Sequence, residues 1–273
     1  MRFNTCTCTG IEGVYWGQFP TTETAYAYAD DVTGDLNPIL NFDQIDYNGS
    51  PGNAFVNDAM VHRLRRKSEI HNAEINVLRG FPVADGCSSP WIFCGRAGFR
   101  YFRFDESLEF AADAVDTVFT GDPDELYYNI DVQNDLFGLQ LGGSAEHRIG
   151  ERWSFTLAAS SGVFANSASA DSRIGGAAGL ATINNGPNDG RAWLVSANKV
   201  DVAFLGEVHA GLAYQISRTW RAVGEYRVVG VSGVALPTNQ IFPDLRGLSD
   251  VELLATNGNL LLHGVFVGLE CAY

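Results

Sequence analysis

The chain has 273 residues, a net charge of −14 and only two lysines, Lys67 and Lys199. A nucleic-acid binder needs a basic face to neutralise phosphates, so that role is excluded. Mean hydropathy is −0.03, and no run of about 18 apolar residues occurs, which excludes a transmembrane helix. A transmembrane β-barrel escapes that test, because its strands alternate lipid-facing and lumen-facing residues.

The length suits one all-β domain over residues 1–273. The 30 Gly and 17 Phe, 10 Tyr and 5 Trp fit such strands. Met1–Gly10 (MRFNTCTCTG) has no apolar stretch that would serve as an export signal, so a truncated or misplaced start is expected. Cys6 and Cys8 are one residue apart, Cys87 and Cys94 flank a turn, and Cys271 sits near the end. No metal spacing results, and neither metal nor cofactor is expected. Cys87 and Cys94 suit either a disulfide in an oxidising compartment or two free thiols.

Eight segments alternate with a period of two, the mark of a strand with unlike faces. In chain order the first is Ile11–Phe19, with Ile11, Tyr15 and Phe19 opposed to Glu12, Trp16 and Gln18. His71–Leu78 sets Ala73, Ile75 and Val77 against Asn72, Glu74 and Asn76. Trp91–Tyr101 sets Trp91, Phe93, Ala97, Phe99 and Tyr101 against Arg96 and Arg100. Phe137–Ala145 sets Phe137, Leu139, Leu141 and Ala145 against Gln140 and Ser144, with Glu146 next on that face. Upstream of it, Tyr128, Ile130 and Val132 are apolar in the other phase, so a bulge near Asp135 or a strand leaving the membrane is expected. Trp153–Ala165, Val202–Tyr214 and Trp220–Val231 repeat the pattern, placing Glu207, His209, Arg221, Glu225 and Arg227 on the polar face. Asn259–Tyr273 ends it, with Leu261, Val265, Val267, Leu269 and terminal Tyr273 opposed to Glu270.

The connections alternate in length. Arg148–Arg152 and Ile216–Thr219 are short, whereas 20–67, 104–127, 166–199 and 232–258 are long. Short turns on one side and long loops on the other match the periplasmic and extracellular ends of an outer-membrane barrel. Trp91, Trp153, Tyr214, Trp220 and Tyr273 then form an interfacial aromatic girdle. The last strand closes on Ile11–Phe19.

The fold class expected is therefore an all-β, antiparallel, up-and-down transmembrane barrel of about eight strands. Its lumen holds a charge network of Glu74, Arg96, Arg100, Glu207, His209, Arg221, Glu225, Arg227 and Glu270, which must pair because an unpaired buried charge is costly. A filled lumen implies a structural or narrow-pore role. An enzyme would need a nucleophile beside His209; Glu207 and Ser160 are the only candidates drawn to it, and no catalytic residues are assigned. A soluble or secreted β-sandwich that binds a ligand is the competing fold.

Arg63–Lys67 (RLRRK) reads as a solvated loop or a contact with anionic headgroups. Ile174–Leu180 (IGGAAGL) reads as a flexible loop, and Asn184–Gly190 as turn chemistry. The acidic tips Asp113–Asp116 and Gly121–Glu125 lack the full calcium pattern.

Ser68–Val77 (SEIHNAEINV), Ala97–Ser107 (AGFRYFRFDES) and Tyr128–Gly143 (YNIDVQNDLFGLQLGG) together resemble recurring segments of a planctomycete outer-membrane β-barrel family. The resemblance covers roughly Gly10 to Tyr273. It implies a barrel in the outer membrane, surrounded by lipid and assembled by the barrel-assembly machinery through its C-terminal strand. It implies no catalytic residues and no particular solute. Family members carry an export signal and are often longer at the N-terminus, so an intact protein of ten or twelve strands is also expected to be compatible.

Overall fold

The computed structural model describes residues 9–81, 89–217, 219–248 and 252–271. Eight long strands follow one another: β1 (Thr9–Tyr28), β2 (Val61–Phe81), β3 (Trp91–Asp113), β4 (Glu125–Ile149), β5 (Trp153–Gly176), β6 (Leu194–Gln215), β7 (Trp220–Val234) and β8 (Gly258–Cys271). Each pairs antiparallel with the next, and all eight lie in one sheet. This is the up-and-down order expected, and it rules out two facing sheets.

The sheet curls around a filled interior. Arg100 on β3 reaches Glu207 on β6, and the rings of Trp16 on β1 and Phe266 on β8 meet edge-on at 6.5 Å. Among the described residues, no backbone ladder joins β8 to Ile11–Phe19, the closing pair expected from the sequence. Side chains alone join these strands.

The strands outrun their expected bounds, so the four loops shrink to 29–60, 114–124, 177–193 and 235–257. The basic run Arg63–Lys67 lies inside β2 and is no loop. Arg63 bonds Glu109 at 2.9 Å and Arg66 bonds Glu106, the two pointing to opposite faces. Ile174–Leu180 is a hairpin, with Gly175 opposite Leu180. Asn185 and Gly186 hold positive φ values of 59° and 87°, the turn that the Asn–Gly pair encodes.

No bulge occurs near Asp135. The register of β4 with both neighbours runs unbroken from one end to the other. What changes is the polarity of each face. The outward residues of β3 are apolar from Trp91 to Tyr101, then read Arg103, Asp105, Ser107, Glu109. On β4 and β5 the switch falls in the same ladder row: Tyr101 lies opposite Phe137, and Phe137 opposite Ala165. One row further up stand Arg103, Asp135 and Ser167. The inward residues switch the other way, from Arg100 and Gln140 to buried Phe102, Phe104, Ile130 and Val132. An apparent slip in phase is thus a change of medium.

Trp91 and Tyr101 are ten residues apart. At about 3.3 Å per residue and about 40° of tilt, that span covers roughly 25 Å of bilayer normal, the height of a barrel's lipid-facing band. Beyond that span the outward residues of β3, β4 and β5 are mostly polar, as a water-facing extension requires. An arginine on the outward face should therefore report its depth. Leu157→Arg, mid-band on β5, should cost about 2–4 kcal/mol, and Ser169→Arg, twelve residues up the same face, about 0–1 kcal/mol. Denaturant titration of folding into liposomes measures both; equal midpoints would contradict the assigned band.

Candidate functional site

The interior stacks in layers. At the short-turn end the inward positions are charged and amide-bearing. Asn72, Glu74 and Asn76 alternate along β2, so they share one face, and Glu74 accepts from Asn72 at 2.9 Å and Asn76 at 3.2 Å. Gln140 of β4 donates to Glu74 at 2.6 Å and to Asn76 at 2.8 Å. Arg100 is fully buried. Its Nε donates to Asn72 at 2.5 Å, and its Nη1 donates to Glu207 at 2.9 Å and lies 3.6 Å from Glu74. Glu207 also faces Arg227 at 3.4 Å, and Arg227 donates to Glu225 at 2.6 Å. His209 lies 3.0 Å from the second oxygen of Glu225. Further down, Arg96 pairs with Glu12 at 3.3 Å and Arg221 with Glu146 at 3.5 Å.

Eight of the nine charges expected to share the lumen are therefore brought into ion pairs. Backbone pairing puts Glu270 opposite Arg221. Five carboxylates meet four arginines and a histidine. A selectivity filter uses a ring of one sign; this near-balanced mixture is a set of cross-ties. Glu12 and Glu146, read on the polar face from the sequence, complete the ion pairs; Asn72, Asn76 and Gln140 join the set and were not singled out as its members. Their inward parity was visible, but neutral amides carry no charge signal.

Above the charges lies an apolar layer of Ile70, Phe102, Phe104, Leu136, Phe164, Leu205 and Val231. Above that, three loops fold onto the concave face. Phe42, Ile45, Tyr47, Phe55 and Val56 of loop 29–60 are buried with Ile183 and Trp193 of loop 177–193 and Leu245 and Leu248 of loop 235–257. Burial is worth roughly 1.5–3 kcal/mol for each large apolar side chain, which keeps the loops docked. Ile45–Tyr47 pairs with Ser50–Pro51 and with Thr182–Ile183 in a small sheet. At Gly176 a Cβ would meet the Tyr47 hydroxyl at 2.4 Å, so the close approach of loop to wall requires glycine. The amide of Asn134 donates to Ala235 O at 2.9 Å and its oxygen accepts from Ala235 N at 2.7 Å, fixing where loop 235–257 departs. This plug was not foreseen, because long polar-flanked loops look alike whether they point outward or inward.

On the outer wall Trp153 and Tyr214 pack at 4.9 Å, Trp91 stacks with Phe93 at 6.0 Å, and Trp220 is exposed at the same end. These residues, expected to form a girdle, lie together at the short-turn end of the outer wall; Tyr273 and Cys87 fall outside the described residues. Cys94 is disulfide-bonded. A second aromatic row, Tyr15, Tyr101 and Phe137, marks the upper edge, and its hydroxyls bond polar neighbours: Tyr15 to His71 at 2.9 Å and Tyr101 to Asp135 at 2.6 Å.

The acidic loop tips serve backbone donors. Asp113 accepts from Val115 N at 2.8 Å and Asp116 N at 3.0 Å. Among the described residues no group of three or more His, Cys, Asp or Glu could hold a metal. Glu125, at the water-facing end of β4, is held below its ordinary value of 4.5: burial pushes it up, but donors from Tyr127, Thr120 and Gly121 outweigh that. A depressed carboxylate stabilises above its unfolded value and loses that contribution as pH falls through the folded one. Glu125→Gln should therefore flatten the acid side of the stability profile below about pH 4.5, seen as a smaller difference in denaturation midpoint between neutral and acid pH.

Breaking a buried pair leaves a bare charge, at a cost of about 3–5 kcal/mol. Arg100→Met strands Glu74 and Glu207 and should lower the unfolding midpoint accordingly; adding Glu207→Gln should recover part of the loss. Glu225→Leu should destabilise clearly, since Arg227 and His209 lose a partner, whereas Val228→Leu, on the lipid face, should leave the midpoint unchanged. Equal midpoints for these last two variants would contradict the assigned facing.

No curated protein matches this chain, and no solved structure does. Residues 66–273 match the sequence model of a family described as "Putative beta barrel porin-7 (BBP7)". That segment holds most of β2 and all of β3 to β8, the strands that carry the polarity switch and nearly all of the lumen network. The chain belongs to this β-barrel porin family.

Proposed function

We propose that the chain spans the bacterial outer membrane as a barrel with a structural or narrow-pore role, sealed in the state seen here. The observation that carries this is Arg100, fully buried and bonded across the lumen to Glu207 three strands away. The plug above it supports the same reading. A porin that passes solutes freely needs a water-filled path, and here charged side chains and then apolar loops occupy it.

The outward band supports a lipid environment. Orientation follows from the connections: the short ones face the periplasm, and β8 runs down toward it. The C-terminal strand is the segment offered to the barrel-assembly machinery. No solute is assigned. An enzymatic role has weaker support, because His209 bonds Glu225 and, among the described residues, no hydroxyl or thiol bonds His209.

Planar-bilayer recording tests the sealed state. The intact chain should give no current steps. Deleting residues 41–57, which removes one of the three docked segments, should weaken the seal and give brief small steps, because loops 177–193 and 235–257 with the apolar and charged layers still fill most of the lumen. Large steady conductance from the intact chain would overturn the proposal.

A further inference from the structure

We propose that the outer wall carries a docking site for a phospholipid whose headgroup holds both a phosphate and a primary ammonium, as phosphoethanolamine does. This rests on the membrane reading above. The site is a pocket of about 420 Å³ on β1, β2 and β3, at the loop-side edge of the apolar band. Cross-strand register builds it in three rows. In the lowest, Ala73 lies opposite both Tyr15 and Tyr101. A small residue between two large ones leaves a slot, and the two outer strands stand about 9–10 Å apart, twice the spacing of paired strands. Below the slot the next outward row is Gly13, Ile75 and Phe99, with nothing within 4 Å of a Cβ at Gly13. An acyl chain has a path down from the slot into the band.

The middle row is basic, with His71 opposite Arg103. The top row is acidic, with Glu69 opposite Asp105. Opposite charges across two strands stabilise a sheet, and like charges repel. Here each base instead finds its acid along its own strand. His71 Nε2 lies 2.9 Å from Glu69, and Arg103 Nε donates to Asp105 at 2.7 Å. Such stripes are unfavourable across the strands, but they repeat the order of groups in an aminophospholipid. From the hydrocarbon outward come ester oxygens, then phosphate, then ammonium. From the band upward come tyrosine hydroxyls, then an imidazole and a guanidinium, then two carboxylates.

The four side chains of the charged rows are 28–37% exposed, so a ligand can reach them. Glu69 and Asp105 each engage their base through one oxygen, and Asp105 Oδ1 has no partner among the described residues. Arg103 uses Nε on Asp105 and Nη2 on Gln133, which leaves N–H groups of its five for a phosphate oxygen. Charge then selects the headgroup. A purely anionic one meets two carboxylates in the top row. A quaternary ammonium has no N–H to donate to them, whereas a primary ammonium has three.

The test is native mass spectrometry of the full chain refolded in detergent. Phosphatidylethanolamine, phosphatidylcholine and phosphatidylglycerol with the same acyl chains are added singly. In protein that shows a heat-dependent gel shift, the ethanolamine lipid should be retained roughly fivefold more than either of the others. Glu69→Gln with Asp105→Asn should bring it down to the level of the choline lipid. Ala73→Phe, which fills the slot from the outer face, should do the same. Excess free phosphoethanolamine should leave the bound lipid in place, since it has no chain to lie on the wall. Equal retention of the three lipids by folded protein would sink the site, as would a preference that survives either variant. Preference for the glycerol lipid would overturn it in favour of an anionic headgroup, and displacement by free phosphoethanolamine in favour of a soluble ligand. Protein that shows no gel shift and retains no lipid would overturn the membrane reading, and the site with it.

Discussion

A strand has two faces, and the medium outside this sheet changes partway along each of them. Everything else follows from that constraint. Where the outer face is apolar, the inner positions carry Glu, Arg and amides. Where the outer face reads Arg103, Asp105, Asp131 and Gln133, the inner positions are Phe102, Phe104, Ile130 and Val132. In the band, lipid takes the apolar side and the polar side must satisfy itself. Above the band, water takes the polar side and the apolar side must find a core. The loops supply it. The plug is thus the consequence of strands that run to 20–25 residues in β1 to β6, where about 9–11 suffice to cross a membrane.

The charged layer obeys the same economy. A guanidinium with no exposure would be costly alone, and Arg100 has Asn72, Gln140, Glu74 and Glu207 around it. The amides matter as much as the acids, since they satisfy the carboxylate oxygens that the arginines do not reach. Because the partners come from β2, β3, β4, β6 and β7, the network fixes the curvature of the sheet from inside. It ties strands that never share a ladder.

All eight strands, their order and the facing of nearly every residue in the band were legible in the sequence, because a period of two between unlike media is a strong signal. Strand ends were not legible. The period continues through Arg103–Asp113 and Glu125–Asp135, but its polarity reverses, and a reversed pattern reads as a broken one. Arg63–Lys67 failed for a related reason: alternate arginines bond Glu109 outside and Glu106 inside, and a basic run hides that alternation. The charged members of the lumen set were found by parity. Asn72, Asn76 and Gln140 shared that parity and were passed over for want of charge. The plug carried no periodic signal, since its residues sit in turns and very short strands.

The two ends of the lumen resist opening in different ways. The charged layer is bound to the wall residue by residue, and separating any pair exposes charge to a poorly solvating interior. The plug is one continuous segment on each of three loops, and it can leave only with its whole apolar face, since Phe42, Tyr47, Phe55 and Trp193 pack on one another and on Tyr128 and Ile174. Water reaches the loop end and lipid does not, so a plug displaced there meets a solvent that penalises its apolar surface. A barrel sealed as proposed would be held shut by hydration at its top and by electrostatics at its base. Salt should act on the two oppositely, weakening accessible ion pairs while strengthening apolar burial when the salt is a kosmotrope.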